Sequence, residues 1–333
     1  MIMGQNNPAV SIVIPAHGKT AAFGSCLRGV FGSDFADFEC LVVDDGSPDD
    51  LGGLLKSYRV KLVRFEESRG PAFARNRGAE AASSDIIFFL DSDVEPHRDA
   101  VGKVVAFMRE HPSAAAVFGS YDDAPVGSDF FSQYRNLFHH YTHQVSREKA
   151  LTFWAGCGAV RRDALRKVGG FDENYTRPCV EDIELGYRLN RGGFDVRLDK
   201  TLQVTHHKRW TFAGLVRADI FDRALPWTAL LMQHGKMAND LNITITARVS
   251  ALLLFVAVAG LGAGVFWRPG LICGFALVLL VVFLNRSVYI FYREKRGLWF
   301  ALRAIPMHLL YMFYSGLAFL AGSVIYKIGR RRV

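Results

Sequence analysis

The chain has 333 residues, more than one typical domain of ~150 residues holds and enough for about two. Its net charge of +8 is unevenly spread: from Leu241 to the end eleven Lys and Arg face one acid, Glu294, while the remainder is nearly balanced at 29 basic and 31 acidic residues. A basic section flanking apolar runs suits anionic lipid headgroups and argues against nucleic acid as a partner. Five scattered cysteines (Cys26, Cys40, Cys157, Cys179, Cys273) without a CxxC spacing argue against a disulfide framework or a zinc site.

The N-terminus, MIMGQNNPAVSIVIPAHG, lacks a charged region followed by a long apolar one, so no signal peptide is predicted and the first domain is expected in the cytosol. Five β-rich runs follow: VSIVIPA, ECLVVDDG, VKLVRF, DIIFFLD and AAAVFG, separated by stretches of helical spacing such as GPAFARNRGAEAASS. This alternation predicts an α/β fold with a mostly parallel sheet, helices on both faces and ligands beyond the carboxyl ends of the strands. Two strands end in acid, at Asp44-Asp45 and at Asp91-Asp93, and both clusters are expected to face one crevice.

From Arg161 to Asp199 the pattern loosens into helix and loop, broken by Gly169-Gly170, Pro178 and Gly192-Gly193. Three apolar segments close the chain, Val249–Trp267, Leu271–Phe291 and about Ala304–Tyr326, each near the ~20 residues that cross a membrane. The expected plan is a cytosolic catalytic domain over 1–210, an amphipathic interfacial linker over 211–245 and an α-helical membrane region over 246–333. For the linker, a helix packed on the soluble domain is an equal alternative. The basic YREKRGLWFALR loop belongs in the cytosol by the positive-inside rule. The equally basic YKIGRRRV end then falls on the wrong side if the third segment spans, so that segment spans against the rule, re-enters or lies along the surface.

The chemistry is concentrated at the strand ends. Ile86–Leu90 reads as a strand buried on both faces, and Asp91, Asp93 and Glu95 follow it within five residues. Unpaired acids beside a core are costly, so a cation is expected there; Mg²⁺ or Mn²⁺, oxygen-ligated and bridged to substrate phosphates, fits one or two carboxylates. Asp44-Asp45-Gly46-Ser47 reads either as a helix cap or turn, or as a carboxylate contact to a base or ribose. Glu181-Asp182 opens EDIELGYRLNRGG, where acids favour a helix N-terminus and a carboxylate across a cleft also serves as a general base. The pair His206-His207 before Lys208-Arg209-Trp210 is structural or completes a metal shell, and Arg209 faces a phosphate in the second case.

The segments VSIVIPAHG, VVDDGSPD, GPAFARNRGAE, FLDSD, GCGAVRRDALRKVGGFDE, EDIELGYRLNRGG and VTHHKRW stand in the order and spacing of one family. Over Val10 to Trp210 the sequence resembles the family 2 glycosyltransferases of the type A glycosyltransferase fold. The resemblance implies inverting, metal-dependent transfer of a sugar from a nucleotide diphosphate donor, with a UDP-sugar expected. It implies Pro15-Ala16-His17 beneath the nucleotide, Asp45 on the base, Arg75 near donor groups, Asp91 near the ribose and Asp93 as direct metal ligand, with Asp91 and His206 completing the metal site. Gly156-Cys157-Gly158, Glu181, Arg209 and Trp210 are implied around the sugar and acceptor, and Asp182 as the base.

One position departs from the processive members, which carry Gln-x-x-Arg-Trp: here His206 stands in the place of Gln, while Arg209 and Trp210 remain. Together with only three apolar segments, this favours a single transfer to a membrane-embedded acceptor such as a polyprenyl phosphate, a lipid-linked saccharide or a glycolipid. The expected setting is the inner cell membrane, multi-pass, in cell envelope polysaccharide biosynthesis. The competing readings are a small processive synthase and an inactive relative acting as a membrane scaffold.

Overall fold

A computed structural model describes residues 7–18, 20–234, 241 and 243–330. The chain divides into two compact units, one formed by Met1–Ser128 and His143–Arg209, the other by Asp129–Thr142 and Trp210–Val333.

In the first unit, β1 (Val10–Ala16), β2 (Phe38–Asp45), β3 (Val60–Phe65), β4 (Ile86–Leu90), β5 (Val94–Pro96), β6 (Ala114–Tyr121), β7 (Cys157–Arg161) and β8 (Asp195–His206) form one sheet in the order β3-β2-β1-β4-β7-β6-β8-β5. Strands β1 to β4 run parallel, as do β6 and β8, whereas β7 and β5 are antiparallel to their neighbours. The helices are α1 (Ala21–Phe31), α2 (Gly52–Leu55), α3 (Pro71–Ala81), α4 (Ala100–Glu110), α5 (Phe130–Val145, most of it in the second unit), α6 (Arg162–Lys167) and α7 (Glu181–Arg191).

The period of two along the strands sorts side chains to two cores. Ile12 and Ile14 of β1 pack with Phe23 and Leu27 of α1 and Val101 and Val104 of α4. Val13 points to the other face, with Ala72 and Ala74 of α3 and Leu185 of α7. The expected mostly parallel α/β sheet, covered on both faces, is therefore the fold adopted. Because β1 sits between β2 and β4, strand order reverses there, which opens a crevice at the carboxyl ends of β1, β2 and β4. The antiparallel β7 lies in the GCGAVR stretch, where the sequence carries no strong strand pattern, and β8 extends well upstream of its legible LQVTHH end.

The second unit contains α8 (Phe212–Arg217), a π-helical stretch (Ala218–Ala224), α9 (Leu225–His234), α10 (Ile245–Ala263), α11 (Arg268–Leu284), α12 (Arg286–Arg296) and α13 (Leu298–Arg330). Residues 212–234 of the expected linker are thus helical and belong to this unit, while 235–240 and 242 lie outside the described residues. Ile245–Ala263 and Leu298–Ile328 are long and apolar enough to cross a membrane, with mean hydropathies of 2.0 and 1.6. A third span exists if α11 and α12, bent by 61° at their junction, count as one.

The expected segment 271–291 runs across this bend. The cause is Asn285, a polar residue in an apolar run, whose amide donates to Ser250 Oγ (2.9 Å) and to the Val281 carbonyl (2.8 Å). The middle of the chain also contributes to this unit: Tyr134, Leu137 and Phe138 of α5 pack with Trp210, Tyr292 and Ala304. Beneath them Arg135 Nη2 pairs with Asp219 Oδ1 at 2.7 Å, and the Tyr314 hydroxyl donates to Asp219 Oδ2 at 2.7 Å, so neither charge is buried alone.

Candidate active site

The crevice is assembled around one buried cation of the protein itself. Arg75, on α3, donates through Nη2 to Asp91 Oδ1 (2.7 Å) and through Nη1 to Glu181 Oε1 (2.8 Å). It is only 4% exposed, and its guanidinium lies 5.4 Å from the centre of the Phe171 ring. Burial works against its charge, but Asp91, Glu181 and Asp182 prevail and hold the guanidinium charged above its usual range. The bridge ties the end of β4 to the first turn of α7. Asp91 is further fixed by its own N–H, which donates to the Gly156 carbonyl (3.2 Å), and Glu181 Oε2 accepts from the Cys179 N–H (2.8 Å).

Asp182, the next residue of α7, is half-buried and accepts from two backbone N–H groups, Ile183 at 2.8 Å and Ala155 at 3.1 Å. Burial and the neighbouring Glu181 push its carboxyl up to about 7, against the opposing charge of Arg75. A carboxylate that titrates near neutrality is suited to proton transfer.

Asp93 sits two residues beyond Asp91, and its Oδ2 is 3.6 Å from His206 Nε2 at the end of β8. Burial raises its carboxyl, but the neighbouring His206 wins and holds it below the ordinary range. The register explains the meeting, since Val94 pairs with His206 and Glu95 with Thr205 in the β5–β8 ladder. His206 is buried and stacked on Tyr121, with ring centres 4.1 Å apart and planes at 10°. His207, by contrast, bonds Glu95 at 2.8 Å. The Asp93–His206 set of carboxylate oxygen and imidazole nitrogen is chemically fit for a divalent ion of the Mn²⁺ type. Among the described residues, no group of three or more His, Cys, Asp or Glu side chains could hold a metal ion.

At the end of β2, Asp45 is 4% exposed and both its oxygens are engaged by the loop before α3: Oδ1 accepts from the Arg69 N–H (2.9 Å), Oδ2 from Gly70 N–H (2.8 Å) and Ser68 Oγ (2.9 Å). Gly70 adopts φ +94 against the Thr176 backbone, a place without room for a side chain. The exposed His17 is held by Nδ1 at 2.8 Å from the Asp45 carbonyl oxygen, and Gly18 N–H donates to Ser47 Oγ at 2.8 Å. Ahead of His17, Ala16 is buried and Pro15 half-buried, so this loop is anchored against β2. Neighbouring Asp44 is fully buried, with Oδ1 accepting from the Ser47 N–H (2.9 Å) and Oδ2 3.6 Å from Arg64 Nε.

Gly156, Cys157 and Gly158 enter β7 beside the Asp91 backbone. A Cβ at Gly158 would strike the Trp154 carbonyl oxygen and come within 2.6 Å of the Phe153 ring, and one at Gly156 would come within 2.6 Å of the Trp154 ring. Gly158→Ala should therefore lower the unfolding free energy by about 1–3 kcal/mol, the usual cost of overpacking, read as a lower denaturation midpoint of the full chain.

One crevice of the first unit thus gathers Asp91, Asp93, Arg75, Glu181, Asp182, His206 and the 156–158 segment. Two further sequence-predicted residues follow β8. Arg209 is exposed past the end of β8, and Trp210 belongs to the second unit, where its N–H donates to Ser132 Oγ at 2.8 Å. The loop Ser68–Gly70 that binds Asp45, and Tyr121 that stacks on His206, escaped the sequence reading. Gly70-Pro71 opening α3 was the available signal for the loop; nothing in the sequence marks Tyr121.

Comparison with known proteins bears on the fold and the family. Residues 11–169 match the family described as Glycosyl transferase family 2. A pre-mycofactocin glycosyltransferase of Mycobacterium tuberculosis is 28% identical, over 78% of this chain and 55% of its own. A validoxylamine A glucosyltransferase of Streptomyces hygroscopicus is 32% identical, over 58% of this chain and 54% of its own. The chain spans about half the length of these curated relatives. Among solved structures, a mannosyltransferase from Pyrobaculum calidifontis in complex with GDP-Man and Mn²⁺ aligns with a TM-score of 0.56 and 16% identity, covering 96% of this chain and 87% of that one, a likeness of fold.

Proposed function

We propose that this chain, whose residues 11–169 match glycosyl transferase family 2, transfers a sugar, with inversion, from a nucleotide diphosphate donor to a lipid-linked acceptor in a metal-dependent reaction. The observation that supports this reading is the Asp91–Arg75–Glu181 bridge, which joins the end of β4 to the first turn of α7, where Asp182 follows Glu181. Asp93 and His206 are the pair that would hold Mg²⁺ or Mn²⁺, with donor phosphate oxygens completing the shell. Such an ion supplies charge neutralisation for a departing diphosphate.

The chain's own residues divide the remaining work. His17, held at the Asp45 carbonyl oxygen, and Ser47, which accepts from the Gly18 N–H, shape the floor for the nucleotide, with Asp45, whose carboxylate also braces the loop before α3, at the base. Asp182 accepts the proton of the acceptor hydroxyl as its oxygen attacks the anomeric carbon from the face opposite the diphosphate. A single displacement of this kind inverts the centre. The apolar helices of the second unit supply the membrane attachment from which a lipid acceptor would come, with the sugar-transferring unit on the cytosolic side.

Incubating the membrane-bound full chain with a panel of UDP- and GDP-sugars, followed by mass spectrometry of the lipid extract, should give one new glycolipid; sugar appearing only on a soluble acceptor would overturn the lipid reading. Asp93→Asn should lower transfer at least tenfold, and chelation should silence the wild type reversibly, with activity restored by Mn²⁺ or Mg²⁺. Full transfer in excess chelator would exclude the metal.

A further inference from the structure

Within the second unit a cavity of about 380 Å³ is lined by residues of α11, α12 and α13, among them Leu279, Arg286, Ile290, Arg293, Leu302 and Ile305. The walls are aliphatic or aromatic except for two cations. Arg286 and Arg293 are seven residues apart on α12, hence on one face and about 10.5 Å apart along its axis. Both are exposed, and among the described residues no carboxylate forms an ion pair with either. Arg286 is instead aimed by its own helix junction, with Nη1 donating to the Phe283 carbonyl (3.2 Å) and the guanidinium 4.5 Å from the centre of the Phe283 ring.

We propose that this groove is a binding site for a lipid monophosphate, the hydrocarbon chain lying along Leu279, Ile290, Leu302 and Ile305 and the phosphate held between Arg286 and Arg293. Charge decides the class. A phosphate monoester carries close to two negative charges at neutral pH, its second pKa being about 6, and so matches two guanidinium groups. A phosphodiester lipid carries one and leaves an arginine unanswered beside hydrocarbon. Arg286 also stands in the first turn of α12, where the backbone N–H groups favour an anion as well. The volume lies within the usual range for a site enclosing part of a small ligand. The inference rests on the lipid-acceptor reading above for its biological sense, but not for its chemistry.

The test uses the full chain in phosphatidylcholine nanodiscs, titrated with a C55 polyprenyl monophosphate, the corresponding free alcohol and phosphatidylglycerol, with bound lipid counted by native mass spectrometry. Saturable binding of the monophosphate, at least tenfold tighter than of either control lipid, is expected. The double variant Arg286→Gln/Arg293→Gln should lose this preference, and Lys295→Gln, which removes a charge of the same helix outside the groove, should keep it. Leu302→Trp, with both arginines intact, should block the chain and weaken binding by a similar factor. Equal binding of phosphatidylglycerol, or an unchanged preference in the double variant and in Leu302→Trp, overturns the proposal. If the monophosphate binds as described yet never receives sugar, the groove stands and the lipid-acceptor reading falls. If it receives sugar equally well in the double variant, the groove falls and the acceptor reading stands.

Discussion

Asp182→Asn is expected to lower turnover by ~10²–10⁴, the usual worth of a positioned base, while leaving nucleotide-sugar affinity close to wild type. Its carboxyl sits at about 7 because burial and Glu181 disfavour the charged form. Below that pH the group holds its proton and cannot accept another, so kcat/KM of the wild type should rise with pH through about 7 and level off above. Stability runs the other way. The folded chain binds this proton more tightly than an unfolded chain, in which the carboxyl titrates near 3.8, so the contribution to stability is complete below that range and is lost as pH rises through about 7. Asparagine cannot ionise, and Asp182→Asn should consequently denature at a higher temperature than the wild type at pH 8 and at nearly the same temperature at pH 4. A variant that is less active and more stable at the same pH is the signature of a strained functional group. Loss of donor affinity with turnover preserved would make Asp182 a binding residue instead.

The strand-end acids were legible because they contradict their surroundings: Ile86–Leu90 is a run that only a two-sided core explains, and Asp91 and Asp93 break it where a core residue is due. The partners of those acids were not. Arg75 reaches Glu181 across 106 positions, and the donors of Asp45 come from 23 to 25 positions away, distances at which periodicity carries no information. The two carboxylates that fill the Arg75 fork leave no trace in its local sequence, since an arginine in a functional motif looks the same whether its fork is free or filled. The split of the chain into units was hidden for a related reason. Helix α5 is amphipathic, and an apolar face does not say which neighbour will cover it; here Trp210, Tyr292 and Ala304 do. The bend at Asn285 did leave a mark, because Asn285-Arg286 interrupts an apolar run that a straight span would have kept.

Arg75→Met should strongly destabilise the first unit. Methionine fills much of the same volume, so the loss is chiefly of charge: Asp91 Oδ1 and Glu181 Oε1 are left without their cation in a site where Arg75 is 4% exposed and Glu181 4%. Breaking a buried pair from one side costs about 3–5 kcal/mol, and here two carboxylates share the one cation. Denaturation of the full chain near neutral pH should show that loss as a lower midpoint. Arg75→Lys should recover only part of it, because an ammonium does not reproduce the two-pronged fork that reaches both carboxylates. A further consequence separates this role from packing. Arg75 is the cation that holds Asp182 down against burial and Glu181, so its removal should shift the acid limb of kcat/KM to higher pH, in the material that remains folded. A variant that is destabilised but titrates as the wild type would confine Arg75 to architecture; a shifted limb makes the same guanidinium both the clamp between β4 and α7 and the group that sets the pH at which the base works.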